Sequence, residues 1–159
     1  MAKFTRNLIE YSGKFNEYYC KKTNNTFKQS TIDVNFCIDD CKAPIKDILK
    51  MSVDTKISSF KVVKTSVGTS VEGQIITGNK LMVIGEFTLK ATYIADTLDN
   101  RVESYTVIIP FCDYIVLPND FECLTIAKPE IYVEDMYIKK SGDKCIFGNI
   151  TYLAQADIC

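Results

Sequence analysis

The sequence predicts an all-β fold, an antiparallel β-sandwich carrying one short helix and an N-terminal arm. Apolar residues recur at every second position over long stretches, the mark of a strand with one buried face. Turn-forming groups separate those stretches at regular spacing: "TGNK" (77–80), "TLDNR" (97–101), "LPND" (117–120) and "KSGDK" (140–144). At 159 residues the chain is long enough to bury a core without staples, and it shows no internal repeat, low-complexity tract or linker. The expected organisation is therefore an arm over 1–16 and a single sandwich domain over 17–159.

The elements follow in order. Phe4, Leu8 and Tyr11 recur at helix-like intervals, so 1–16 reads as a short helix or as an arm that could add to a neighbouring sheet. Asn24 and Asn25 suit a hairpin between strands at 17–23 and 26–36, because asparagine tolerates positive φ. In the second of these, Ile32, Val34, Phe36 and Ile38 share one parity, which puts Cys37 with the polar set, facing out. Pro44 fits a first helical turn with Ile45, Ile48 and Leu49 behind it, and this is the predicted helix.

Strands are then read at 58–67, 71–77, 81–94, 102–109, 130–138 and 145–153. The clearest is 81–94, with Leu81, Val83, Gly85, Phe87, Leu89, Ala91 and Tyr93 on the inward parity. In "SYTVIIPFCDYIVLP" (104–118), Pro110 lacks the donor a central ladder needs, so the strand is expected at an edge or bulged. Cys112 then lies near an edge. Its direction depends on whether a bulge intervenes.

Composition excludes more than it identifies. Nineteen basic and twenty acidic residues give a net charge of −1 with no basic run, so no nucleic-acid partner is expected. No segment approaches the roughly 18 apolar residues of a membrane span, and the N-terminus lacks the features of a secretory signal. Synthesis in a cytosol, with thiols initially reduced, is the expectation.

Histidine is absent, which removes Cys-His and Ser-His catalysis together. The acidic pairs Asp39–Asp40 and Glu134–Asp135 are adjacent in sequence and should point to opposite faces, so no enzyme is expected. No glycine-rich loop marks a cofactor. Cys37 and Cys41 in "CIDDC" have a metal-knuckle spacing, but the other cysteines stand singly and no metal is expected.

The seven cysteines are an odd set, so at least one stays free or pairs with another molecule. Cys123 and Cys145 adjoin apolar residues and read as candidate core members. Cys20, Cys37, Cys41 and Cys159 lie in polar or terminal settings, where a thiol invites cross-linking. With Cys112, these are the candidates for disulfides between molecules.

The run from Ala43 to Pro118 resembles the SPOCS-domain family of clostridial spore coat and exosporium morphogenesis proteins. The residues that carry this are "APIKDIL", "SFKVVKTSVGTSVEGQII", the long strand "LMVIGEFTLKATYIAD", the turn at Asp99 and Asn100, and "VESYTVIIPFCDYIVLP" with Phe111 after the isoleucine-proline. The resemblance implies a non-enzymatic protein of the spore, with no catalytic or cofactor positions. The expected function is a self-assembling coat, exosporium or appendage subunit, cross-linked by disulfides between copies. Its partners would be itself and other spore coat proteins, and its location the mother-cell cytoplasm and then the spore surface. The alternative is a monomeric adaptor docking on a spore morphogenetic protein.

Overall fold

The computed structural model describes residues 2–13, 15, 26–73, 75–118 and 127–158. These form two β-sheets and no helix. The first sheet runs in the order β1 (Ala2–Arg6), β2 (Ile9–Gly13), β4 (Ile45–Thr69), β5 (Ile75–Ala95), β6 (Val102–Val116). The second runs β3 (Thr26–Cys37), β8 (Cys145–Ile158), β7 (Ala127–Lys140). Every pairing between these strands is antiparallel except β2 with β4, which is parallel, so the first sheet is mixed.

The predicted alternation of β5 holds at each position: Leu81, Val83, Phe87, Leu89, Ala91 and Tyr93 are fully buried. They face Val34, Phe36, Met136, Ile138, Ile146, Ile150 and Tyr152 of the second sheet, and the two inner faces make one core. Near its middle, Phe87, Phe111 and Tyr152 meet with ring centroids 4.8 to 5.6 Å apart. Gly85, paired with Phe111 across β5 and β6, makes room for them. A Cβ at Gly85 would lie 2.7 Å from the Phe111 ring and 2.6 Å from the Lys56 carbonyl oxygen.

The predicted helix at Pro44 is instead the start of β4. Ile45, Ile48, Met51 and Val53 are all buried, at intervals of three, three and two. The register against β5 slips between Ile45 and Asp47 and again between Ile48 and Lys50. Each slip adds a residue to β4 and turns the next apolar side chain back inward, so two bulges imitate helical spacing.

The "TGNK" group is likewise no turn but lies inside β5, where Gly78 stands opposite a bulge of β4 between Lys64 and Val67. Gly78 serves it with φ of +84°, and a Cβ there would lie 2.7 Å from the Val67 side chain. The chain reverses earlier, at residues 70–73, closed by the Gly73 amide on the Ser70 carbonyl at 2.9 Å. The turns at 97–101 and 140–144 fall where expected. The 17–23 strand, the Asn24–Asn25 turn and residues 119–120 of "LPND" lie outside the described residues.

Residues 2–13 form a hairpin, not a helix, and it joins its own sheet through β2 and β4. Asn7 and Leu8 make the turn with φ of 51° and 65°. Phe4 and Tyr11, which look like members of one helical face, are cross-strand partners with stacked rings 4.9 Å apart. Arg6 then ties β1 to β7 through two hydrogen bonds to Asp135, at 2.9 and 3.1 Å.

β6 ends at Val116 opposite Lys80, while β4 and β5 continue past it. Residues 64–69 and 75–79 therefore project as a two-stranded ribbon. Along it Val67, Val71 and Ile75 are exposed.

Candidate functional site

The chemistry that the sequence offers is thiol chemistry, and the structure sorts the thiols by position. Cys37 and Cys145 are direct cross-strand partners at the ends of β3 and β8, and their sulfurs are bonded to each other. The sequence alternation correctly turns Cys37 outward, where it is exposed. Its expected role as a thiol free to join another molecule is corrected, because β8 presents Cys145 at the matching register. Cys145, a candidate core residue from its apolar neighbours, is the half-buried end of that bridge.

Just past Cys37 the chain makes a tight turn, closed by the Lys42 amide on the Asp39 carbonyl at 2.9 Å, and Cys41 sits in it as an exposed free thiol. Both sides of the sandwich pin this turn. From the second sheet, the Ile38 amide donates to the Lys144 carbonyl at 2.9 Å and Lys144 Nζ donates to the Asp40 carbonyl at 2.6 Å. From the first, Lys42 Nζ donates to the Ser104 carbonyl at 3.1 Å. Glu103 next to it accepts from Tyr93 at 3.2 Å and pairs with Arg101 at 2.9 Å. Burial, then the hydrogen bond to Glu103, push the Tyr93 hydroxyl up to about 12, so it stays a donor through the neutral range.

Among the described residues Cys112 is the second exposed free thiol. It lies on β6, the end strand of the first sheet, as Pro110 predicts. The pairing with β5 runs from Val102 to Val116 without a slip, so no bulge shifts the parity and Cys112 faces outward with the exposed Ile108 and Tyr114. The turn carrying Cys41 is fixed beside Ser104. Cys112 is eight residues further along the strand, about 26 Å at about 3.3 Å per residue. The two thiols thus stand at separate places on the molecule. Cys20 and Cys159, the other expected cross-linking residues, and Cys123 lie outside the described residues.

The carboxylate beside Cys112 has a place that the sequence reading missed. Asp113 is buried and accepts from Lys28 Nζ at 2.5 Å, Ser30 Oγ at 2.5 Å, Tyr152 hydroxyl at 2.9 Å and the Tyr114 amide at 2.8 Å. Burial pushes its pKa up, but these hydrogen bonds outweigh it and hold the carboxyl below the usual range. Tyr152 is pushed up, by burial and by its bond to Asp113. The signal was present: Asp113 is the charged member of the inward parity formed by Phe111 and Ile115. It joins β3, β6 and β8 at one point.

The acidic pairs do not converge. Glu134 meets Gln29 at 3.0 Å while Asp135 meets Arg6. Asp39 reaches the Tyr105 hydroxyl at 3.5 Å, and the Asp40 carbonyl takes Lys144. Among the described residues no three histidine, cysteine or acidic side chains gather as metal ligands would.

A family model described as SipL, SPOCS domain, matches residues 44–141, more than half of the chain. The match begins at the residue before β4 and closes just after β7, well beyond the Ala43–Pro118 run on which the sequence resemblance rests. Neither the curated proteins nor the solved structures give a match.

Proposed function

Since this chain belongs to the SipL, SPOCS-domain family, we propose that it is a non-enzymatic structural subunit of the spore surface, assembled with further copies of itself and locked by disulfides between them. Family membership points to a sporulation-related protein. The observation that carries the rest is the pair of exposed free thiols, Cys41 and Cys112, at separate places on a pinned scaffold. One linking point per copy gives only dimers, whereas two allow growth. Other spore coat proteins bearing thiols could join the same network. In this reading the chain is made in the mother-cell cytoplasm and becomes cross-linked as the spore surface oxidises.

A second reading, a monomeric adaptor for a spore morphogenetic protein, is favoured by the apolar strip of Ile84, Ile108 and Tyr114 on the outer face of β5 and β6. Non-reducing electrophoresis of native protein under oxidising conditions separates the two. The polymer reading expects a ladder of multimers that collapses to one band near 18.0 kDa on reduction. A single band in both lanes overturns it and leaves the adaptor.

A further inference from the structure

The bridged pair Cys37–Cys145 and the free Cys41 occupy one small region. Cys37 is the exposed end of the bridge and Cys145 the half-buried end. Cys41 follows four residues after Cys37, on a turn held to the residue preceding Cys145 by the Ile38 amide and by Lys144 Nζ. A disulfide breaks most readily when a thiolate can reach one of its sulfurs and displace the other. Here an exposed bridged cysteine and an exposed free one stand four residues apart at one pinned turn.

We propose that Cys37, Cys41 and Cys145 form a thiol–disulfide exchange site through which two copies of this chain become joined. The thiolate of Cys41 in one copy attacks Sγ of Cys37 in a second copy. The Cys37–Cys145 bond breaks, Cys145 leaves as a thiolate and takes up a proton, and a Cys41–Cys37 bond now spans the two molecules. One disulfide is lost and one is made, so no oxidant is consumed. Because attacker and target lie on the same patch, two copies that meet through it by a two-fold axis bring each Cys41 to the other's bridge. Among the described residues Cys112, far along β6, has no such arrangement, and it links by oxidation alone. The inference rests on the reading of the chain as a cross-linked subunit, and it names how one of its links forms.

The test uses the full chain with Cys20, Cys112, Cys123 and Cys159 replaced by serine, its Cys37–Cys145 bridge formed and Cys41 reduced. It is held concentrated under argon with a chelator, then trapped with an alkylating reagent. Exchange expects dimers without added oxidant, a Cys41–Cys37 linked peptide on mass mapping, and alkylated Cys145 in equal amount. Cys41→Ser in the same background should abolish the dimer. Dimers that form only with oxidant, joined Cys41 to Cys41 with the internal bridge intact, overturn exchange and leave the cross-linked subunit standing. If the wild-type chain gives no ladder even with oxidant, both ideas fall. Should the four-serine protein fail to fold, mass mapping of wild-type protein held under argon decides on the same linked peptide.

Discussion

Cys37 of β3 and Cys145 of β8 are bonded across directly opposed positions, and the bridge closes a sequence separation of 108 residues. Loop-closure entropy for so long a loop amounts to about 5 kcal/mol, as an upper figure, because a denatured chain is not fully random. Reduction, or Cys37→Ser, should lower Tm by roughly 10 °C for a domain of this size while the far-UV spectrum stays β. An unchanged Tm in thermal melts with and without reductant would remove any stabilising role from the bridge.

Asp113 is the acid-sensitive point between the sheets. Its folded pKa lies below the ordinary value of 3.8, so its contribution is fully present above that value and is lost as pH falls through the lower, folded one. Asp113→Ala strands Lys28 and the Tyr152 hydroxyl and should cost about 3 kcal/mol at neutral pH. Urea melts at pH 7 and at pH 3 are the check: the gap between wild type and variant should narrow at the lower pH.

Leu8 sits in the β1–β2 turn with φ of 65° and its side chain 92% exposed. A leucine in that region is strained and gains no burial in return. Leu8→Gly should therefore raise stability, by about 1 kcal/mol. A lower Tm in this variant would contradict the turn geometry.

Gly85→Ala should be among the most damaging single methyl additions. The new carbon would meet both the Phe111 ring and the Lys56 backbone, and only the ring can move. A loss of about 2 to 3 kcal/mol is expected in denaturant titration, with slackened near-UV signal from the aromatic group. Phe111→Leu placed on top should recover only part of it, since the backbone contact remains.

If growth needs both exposed thiols, the single variants separate the links. Cys41→Ser and Cys112→Ser should each shorten the ladder under oxidising conditions, and the double variant should shorten it furthest. Equal ladders in all four proteins would move the cross-links to other cysteines.

Much of the sandwich is legible in the sequence because a half-buried strand writes its own period. Leu81 to Tyr93 and Val34 to Ile38 give their faces, and Cys37 its direction, from parity alone. Bulges break that script. At Ile45 and Ile48 they convert a two-residue period into a three-residue one, and opposite a third bulge of β4 turn-forming residues around Gly78 sit within β5. The β1–β2 hairpin was hidden because cross-strand partners such as Phe4 and Tyr11 fall by chance at helical spacing. Its parallel docking on β4 leaves no local mark. The Cys37–Cys145 bridge depends on the register between strands more than a hundred residues apart, which no local pattern encodes.

The ribbon formed by residues 64–69 and 75–79 stands outside the body of the sandwich, with its reversal at 70–73. A foreign peptide grafted between Val71 and Gly73 would consequently be carried at the far end of a lever, clear of the folded mass. If copies of this chain tile a surface, that is where a displayed epitope or enzyme tag could ride on every tile.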